Sequence, residues 1–212
     1  MLTSREAILH KVRTALGRAP GAGVPPLPPP LISVPAMDLQ QRIEVFIAAF
    51  EKLNGQAHRA ASPAEARSCA ERILGGRRAI ASNAPFLAEC GITSLQGVES
   101  GLTDRAELRE ACVHLDVGIT SVDYALSDTG SFVLFSSAEE ARMISVLPPC
   151  HIAVVPRERI LTGLDEILTL HPAPSDRSSS MVLITGPSRT ADIEQILVRG
   201  VHGPGEVHVI VV

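Results

Sequence analysis

The feature that most constrains the fold is a regular alternation of amphipathic helical segments with short apolar runs. The first helix after residue 37 is predicted from an apolar stripe at helical spacing: Leu39, Ile43, Phe46, Ile47 and Phe50. Asn54-Gly55 is expected to end this helix, and a short strand follows near residues 57–60. A second helix begins at the capping box formed by Ser62 and Glu65.

The same alternation continues to about residue 112. Gly75-Gly76 ends the second helix, and the elements predicted after it are a strand at 78–82, a helix at 86–90, a weak strand at 95–98 and a helix at 104–112. Alternating strands and helices form mostly parallel sheets covered by helices, with ligands bound in the crevice at the C-terminal ends of the strands. The sequence therefore predicts an α/β fold built on a mostly parallel sheet that helices cover.

The middle of the chain departs from this pattern. Four apolar runs, GITS, SFVLFSS, ARMISVL and HIAVVP, lie between residues 117 and 156 with little chain available for crossover helices. A locally antiparallel insertion is expected there. Parallel order is predicted to resume with a helix at 162–170, a strand at 181–185 and a final strand at 206–212.

The N-terminal segment differs in character from the rest of the chain. Thr3 and Glu6 form a capping box before a helix that Gly17 is expected to end. Residues 20–35 contain seven of the chain's 16 prolines and can form neither a helix nor a central strand. Two interpretations stay open, a solvated tether and an arm that packs over a partner subunit. The predicted organisation is an N-terminal helix and Pro-rich arm at 1–37, followed by an α/β domain at 38–212.

Composition and charge exclude several classes of protein. A net charge of −4, 3% aromatic residues and the absence of tryptophan leave neither a basic stripe nor a stacking platform for nucleic acid. No apolar run has the length of a membrane span, and the first 13 residues carry charges where a signal peptide would be apolar. A cytoplasmic location is expected.

The four cysteines are scattered and predict no metal site. Cys69, Cys90, Cys112 and Cys150 include no C-x-x-C pair, so local ligands for zinc or an iron–sulfur cluster are lacking. We expect them to be reduced, buried and structural. Cys150 and His151 are neighbours in a predicted strand, so their side chains should point to opposite faces and cannot act as a dyad.

The segment at residues 181–204 concentrates polar residues where α/β proteins often bind ligands. A strand at 181–185 is followed by the turn Gly186-Pro187-Ser188, and Ile193, Ile196 and Leu197 then predict a helix that ends at Gly200. The N-terminus of such a helix, beside Arg189, would hold an anion. Alternatively, Ser188 or Thr190 only caps the helix while Asp192 and Glu194 complement its dipole, and these acids also disfavour a dianion.

Asp128-Thr129-Gly130-Ser131 spells the signature of aspartic proteases. That chemistry requires two such aspartates sharing one proton on an all-β fold, which the capped helices of this chain contradict. A polar turn that opens the strand at 132–135 is the favoured interpretation.

Two further residues are candidates for contact with a ligand. Arg142 lies in an apolar segment, where it would need either an internal partner, with Asp123 and Asp128 as candidates, or a ligand. His202 is set between glycines and prolines in VHGPG, where an imidazole could transfer protons near neutral pH.

Together these segments resemble the lactate-utilisation protein C family, also called the LutC/YkgG or LUD domain family. The residues that carry the resemblance are TGPSRTADIE at 185–194, VRGVHGP at 198–204, GITSVDYALSDTGSFVL at 118–134, Arg142 and the LPPCHIAVVP run. It covers residues 75–212. The resemblance implies a three-layer α/β fold with helices on both faces of the sheet, like that of NagB, ribose-5-phosphate isomerase (RpiA) and CoA transferases. It also implies a function in the oxidation of L-lactate to pyruvate.

The resemblance also implies partners and a site. The partners would be the iron–sulfur subunits of a cytoplasmic lactate-oxidising complex, while this chain would carry no cofactor. A small carboxylate or another anionic ligand is expected at the site. Asp128 and His202 are the catalytic candidates, and the predicted ligand contacts are Thr129, Gly130, Arg142, Gly186, Ser188, Arg189, Thr190, Asp192, His202 and Gly203.

Two functional hypotheses from different classes follow. In the first, the chain is a non-redox subunit of the lactate-oxidising complex. In the second, it is an independent enzyme or binding protein for a phosphorylated or CoA-linked metabolite. The second rests on analogy of fold, and neither a P-loop nor a G-x-G-x-x-G motif supports it.

Overall fold

A computed structural model describes residues 3–18, 36–193 and 196–212 of the chain. The chain divides into two units, Met1–Ser33 and Val34–Val212. In the first unit, α1 (Ser4–Ala15) begins at the predicted capping box, where the Thr3 side chain accepts a hydrogen bond from the backbone of Glu6 and the Glu6 carboxylate accepts one from Thr3. The Pro-rich arm at 20–35 lies outside the described residues.

The second unit contains the predicted alternation of helices and strands. Its helices are α2 (Leu39–Lys52), α3 (Pro63–Leu74), α4 (Pro85–Glu89), α5 (Arg105–His114), α6 (Leu164–Leu170) and α7 (Pro174–Arg177). Among the described residues, no helix is both long and apolar enough to cross a membrane.

Six strands form a wholly parallel main sheet. They are β1 (Gln56–Arg59), β2 (Ala79–Ala81), β3 (Val98–Glu99), β4 (Val117–Ser121), β7 (Cys150–Val155) and β12 (Glu206–Val211), in the order β1-β12-β7-β4-β2-β3. The central strands β7 and β4 are buried along most of their length, which agrees with their near-continuous apolar sequences.

A smaller, mixed sheet forms the expected insertion. It contains β5 (Tyr124–Leu126), β6 (Ser131–Phe135), β8 (Ile160–Leu161) and β9 (Met181–Ile184), in the order β8-β5-β6-β9. The β5–β6 and β6–β9 pairs are antiparallel, so an antiparallel element is confirmed, although the predicted strands at GITS and HIAVVP belong to the main parallel sheet.

Apolar side chains cover both faces of the main sheet, which confirms the three-layer α/β fold class. On one face, α3 and α4 contribute Ala66, Cys69 and Leu87, which pack with Ile119 and Ile152 of the sheet. On the other face, α2 contributes Ile43, Phe46 and Phe50, which pack with sheet residues that include Val155 and Val209. Phe132 of the smaller sheet joins this second cluster, and α5 packs on the same face beside Ile80.

Three predicted elements in the second half of the chain are wrong. The ARMISVL run is a turn of 3₁₀-helix at Arg142–Ser145 rather than a strand. β9 pairs antiparallel with β6 at the edge of the smaller sheet, so it is not an interior parallel strand. In place of the predicted helix, the backbone forms an antiparallel hairpin of β10 (Arg189–Ile193) and β11 (Ile196–Arg199). The described residues of this segment therefore form no helix whose N-terminus could hold an anion, and Glu194 lies outside them.

The start of α3 offers a direct test of helix capping. The Ser62 hydroxyl accepts a hydrogen bond from the backbone N–H of Glu65 at 3.3 Å, and Pro63 occupies the first turn. Ser62→Ala should lower the free energy of unfolding by about 1 kcal/mol because this N–H loses its partner at the helix end. Urea denaturation would measure the change. Ser68→Ala is the control on the same helix, and an equal loss there would contradict the capping role of Ser62.

Candidate functional site

The main candidate site is a cavity at the C-terminal edge of the main sheet. It has a volume of about 570 Å³, and its wall includes Ala84, three residues beyond the end of β2, and Ser121–Asp123 at the end of β4. The chain leaves β2 toward the outer strand β3 but leaves β4 in the opposite direction, toward β7. This is a topological switch point, the place where open α/β sheets bind ligands. The crevice expected from the sequence is therefore present.

A buried carboxyl group, that of Glu140, forms part of the cavity wall. Glu140 is only 7% exposed, and its Oε2 accepts hydrogen bonds from the Ser82 hydroxyl at 2.8 Å and from the backbone N–H of Ser121 at 3.1 Å. Oε1 is buried and has no hydrogen-bond partner among the described residues. The side chain thus joins the ends of β2 and β4 and retains one unused oxygen.

Burial keeps this carboxyl group largely protonated near neutral pH. Removal from water raises the pKa of Glu140 to about 8, although the hydrogen bonds from Ser82 and Ser121 oppose the shift. The nearby Asp123 carboxylate raises the pKa further because two negative charges would repel each other. A carboxylic acid at this position can donate a hydrogen bond, which an ionised carboxylate cannot do.

Two arginines contribute positive charge to the same cavity. Arg177 donates to the Asp123 carboxylate at 2.7 Å and lies over the ring of Phe135 at 4.2 Å. Arg159 lies over the ring of Tyr124 at 5.5 Å and donates weakly to the Asp123 carbonyl oxygen at 3.4 Å. In the part of the chain that the structure describes, no carboxylate lies within 4.0 Å of the Arg159 guanidinium.

Several of the site residues predicted from the sequence lie elsewhere, around the C-terminal end of α2. Asp128 and Thr129 are exposed in the turn before β6, and Gly130 packs directly on the backbone of Phe50. Gly186 lies beside Leu53, and the exposed Arg189 donates a hydrogen bond to the Leu53 carbonyl oxygen. The Ser131 and Thr185 hydroxyl groups are 2.7 Å apart and link the two turns.

The loop that precedes β12 contacts the turn at Gly186–Ser188. The backbone N–H of Ser188 donates to the Pro204 carbonyl oxygen at 2.8 Å, and a Cβ built on Gly203 would lie 3.5 Å from the Ser188 Cβ. His202 is exposed in this loop. Thr190 and Asp192 lie in β10, where the structure describes the backbone and not the side chains.

These predicted residues therefore cluster at the N-terminal edge of the main sheet, opposite the cavity. Strands such as β12 separate the two edges by about 17 Å, since a six-residue strand rises about 3.3 Å per residue. The strand at 181–185 was expected to point to the C-terminal edge, but its antiparallel pairing reverses its direction. No predicted site residue whose side chain the structure describes lines the cavity, and the assignment of these residues as ligand contacts stays a prediction.

Arg142 occupies a third position. It is exposed, and its guanidinium donates at 3.4 Å to the Ser180 hydroxyl at the start of β9, whereas Gly186 follows the end of that strand. The internal ion pair predicted as one alternative for Arg142 is absent among the described residues, because Asp123 pairs with Arg177 instead.

A second group of polar side chains, which includes Cys150, Glu206 and His208, lies at the N-terminal edge. The ligand atoms of these three residues lie within 4.8 Å of one another. Arg77 already donates to both Glu206 oxygens, at 3.0 and 3.2 Å, and lowers the pKa of this carboxyl to about 2. Burial raises the pKa of the Cys150 thiol to about 12. A resident guanidinium and a protonated thiol both oppose the binding of a divalent cation.

The predicted separation of Cys150 and His151 is confirmed. Cys150 packs with the cluster under α3, whereas the ring of His151 lies 5.7 Å from the ring of Phe132 on the opposite face. His151 is fully buried and contacts the Thr120 hydroxyl at 2.8 Å. Burial lowers its pKa to about 3, so it is a neutral core residue.

Three residues of the cavity wall were not predicted from the sequence: Glu140, Arg159 and Arg177. Nothing in the local sequence distinguishes Glu140 from its exposed neighbour Glu139. A signal does exist in the polar residues that end two predicted parallel strands, Ser82 in the strand at 78–82 and Ser121 in the GITS strand. Both would be expected at the same edge of the sheet and could have located the cavity.

Several known bacterial proteins are similar to this chain in sequence. The chain is 38% identical to lactate utilization protein C of Halalkalibacterium halodurans over 136 residues, which are 60% of this chain and 59% of that relative. It is 43% identical to lactate utilization protein C of Bacillus subtilis over 93 residues, 42% of this chain and 39% of the relative. With YkgG of Escherichia coli it shares 33% identity over 180 residues, 79% and 78% of the two chains. The match thus spans about three fifths of the first relative's length.

A solved structure has the same fold. A DUF162 family protein from Deinococcus radiodurans superposes with a TM-score of 0.63 at 21% identity, over 83% of this chain and 99% of that one. This likeness supports the α/β architecture and carries no functional argument. The LUD domain family matches residues 43–212, which include both sheets and the cavity. By this match the chain belongs to the LUD domain family, as its sequence motifs predict.

Proposed function

We propose that this chain is a lactate utilization protein that acts in the cytoplasm as a non-redox subunit of a complex with iron–sulfur proteins, which oxidises L-lactate to pyruvate. The names of the relatives from Halalkalibacterium halodurans and Bacillus subtilis support the metabolic assignment. The iron–sulfur partners follow from the resemblance of the sequence to the family.

The structural observation that supports this proposal is the cavity at the topological switch point. A cavity of about 570 Å³ falls within the usual range of small-molecule sites, and its wall combines a buried carboxyl with guanidinium groups. Such a wall suits the binding of a small polar metabolite.

The chemistry of the cysteines supports a non-redox role for this subunit. Iron–sulfur clusters are commonly held by four cysteine thiolates that converge on one point. Among the described residues, the one convergent group of potential metal ligands contains a single cysteine, Cys150. Burial also raises the pKa of Cys90 and Cys112 to about 11, so these thiols stay protonated.

Affinity purification of the tagged full chain from its own cells, grown on lactate, would test the proposal. We expect co-purification with brown iron–sulfur proteins and lactate-dependent reduction of an electron acceptor by the complex. The chain expressed alone should be colourless and inactive toward lactate. A deletion strain that grows normally on lactate, or a purified chain that oxidises lactate without partners, would contradict the assignment.

A further inference from the structure

We propose that the cavity at the ends of β2 and β4 binds a short-chain monocarboxylate, whose carboxylate pairs with Arg159 and whose second oxygen-bearing group faces the Glu140 carboxyl. A 2-hydroxy or 2-oxo acid has this chemistry. The inference deepens the proposed function, on which it rests for the choice of ligands, and it concerns direct binding to this chain alone.

Arg159 is the cation of the cavity that is available to a ligand. The Asp123 carboxylate already neutralises Arg177 through a 2.7 Å contact. Arg159 instead makes a long hydrogen bond to a carbonyl oxygen and lies over the Tyr124 ring, so its charge has no carboxylate partner among the described residues. Guanidinium groups bind carboxylates through charge-assisted hydrogen bonds, and stacking on an aromatic ring orients the donors.

Glu140 provides the second recognition element through its geometry. Two donors, the Ser82 hydroxyl and the Ser121 backbone N–H, fix Oε2 and leave Oε1 without a partner in a side chain that is more than nine-tenths buried. A buried polar atom without a partner is costly, and native proteins rarely retain one without a functional reason. A ligand oxygen within the cavity could supply the missing partner after a small rotation of the carboxyl group.

The charges around the cavity disfavour a ligand with more than one negative charge. The charged and titratable groups that share the cavity with Glu140 are Glu89, Asp123, Glu139, Arg159 and Arg177. Three carboxylates against two guanidinium groups leave this wall weakly negative even while Glu140 is neutral. A phosphate dianion would be repelled more strongly than a monocarboxylate.

Apolar side chains in the remaining wall fit a short carbon chain. Phe86, Val122 and Phe135 line the cavity, together with Pro85 and Pro156. An alkyl substituent can bury surface against these side chains, while the polar groups at the strand ends orient the carboxylate and the neighbouring oxygen.

Isothermal titration calorimetry of the purified full chain with L-lactate, pyruvate, acetate, inorganic phosphate and coenzyme A would test the inference. We expect saturable binding of lactate or pyruvate, weaker binding of acetate, and no saturable binding of phosphate or coenzyme A. Arg159→Ala should weaken carboxylate binding by roughly tenfold or more, because a charge-assisted contact is lost. Arg157→Ala is the matched control, since Arg157 pairs with Glu158 outside the cavity.

The pH dependence of binding separates Glu140 from a merely structural residue. Ionisation of Glu140 places a negative charge beside the bound anion, so wild-type affinity should fall about tenfold between pH 6.5 and 9 for a group with a pKa of about 8. Glu140→Gln keeps a neutral donor and should bind with little dependence on pH. Circular dichroism spectra would confirm that each variant is folded.

The outcomes distinguish this inference from the proposed function. Equal losses of affinity in Arg159→Ala and Arg157→Ala, or no saturable binding of either acid by the folded wild-type chain, would overturn the inference while leaving the complex intact. Saturable binding of phosphate or coenzyme A without carboxylate binding would overturn it in favour of a phosphorylated or CoA-linked ligand. Normal carboxylate binding in a chain whose deletion leaves growth on lactate unchanged would overturn the proposed function alone.

Discussion

Replacing Gly130 with alanine should destabilise the second unit by about 3 kcal/mol or more, among the largest effects expected of a single methyl group. Gly130 has φ +63°, and a Cβ there would lie 2.5 Å from the backbone N of Phe50 and 2.7 Å from the backbone carbon of Ala49. Neither backbone atom can withdraw without moving α2, whose Phe46 and Phe50 are fully buried. Urea denaturation followed by circular dichroism would measure the loss.

Gly101→Ala provides a matched control for the conformational part of this effect. Gly101 has φ +82°, and a Cβ there would meet nothing within 4 Å. Its substitution should therefore cost only the roughly 1 kcal/mol of placing alanine in the left-handed region. If the two variants lost the same stability, the contact with α2 would contribute nothing and the packing explanation for Gly130 would be wrong.

The expected cost gives a structural reason for glycine in the Asp128-Thr129-Gly130 turn. From the sequence, glycine beside an aspartate and a threonine is equally compatible with close approach of a ligand and close approach of the chain itself. In the structure the chain itself approaches Gly130, because the turn packs against the backbone of Ala49 and Phe50 near the C-terminal end of α2. A ligand contact at Gly130 stays a prediction.

The helices in the first half of the chain were predictable because their signals are local. A capping residue, a stripe at helical spacing and a terminal glycine occur together in α3, where Ser62 begins the helix and Gly75 ends it in the left-handed conformation. Since parallel strands alternate with such helices, the main sheet followed from the same pattern.

The segment at 189–199 was not predictable from the same signals. Ile193, Ile196 and Leu197 are spaced as on one face of a helix, yet such short apolar runs also suit the two strands of a hairpin. The turn at Gly186–Ser188 is bound to the loop before β12, through the hydrogen bond from Ser188 to Pro204. This pairing is remote in the sequence, so local periodicity carries no information about it.

The location of the cavity was partly predictable, but its residues were not. The crevice at a switch point follows from the order of strands, and Ser82 and Ser121 are the last residues of strands that the sequence identifies. Burial of Glu140 depends on the loop after β6 and on the 3₁₀ turn that follows it, and the sequence pattern assigned this turn to a strand. The two cavity arginines lie after β7 and in α7, so only the tertiary structure brings them together.

The protonated state of Glu140 predicts a loss of stability at alkaline pH. Its pKa is about 8 in the folded chain and about 4.5 in the unfolded chain, so the folded state binds the additional proton between these values. The resulting stabilisation is complete below pH 4.5 and is lost as the pH rises through 8. Between pH 6.5 and 8.5 the free energy of unfolding should fall by about 2 kcal/mol, at 1.36 kcal/mol for each pKa unit.

Glu140→Gln should remove this part of the pH dependence because an amide does not titrate. Urea denaturation at pH 6.5 and 8.5 would measure the difference between wild type and variant, in which the contributions of His151 and the buried thiols cancel. Glu139→Gln is the control, since Glu139 is exposed and its backbone carbonyl oxygen, rather than its carboxylate, accepts from the Asn83 N–H. Equal flattening by Glu139→Gln would show that the effect is not specific to Glu140. A wild-type profile that Glu140→Gln leaves unchanged would show that Glu140 is ionised in the folded chain over this pH range. The neutral donor that the cavity requires would then be absent.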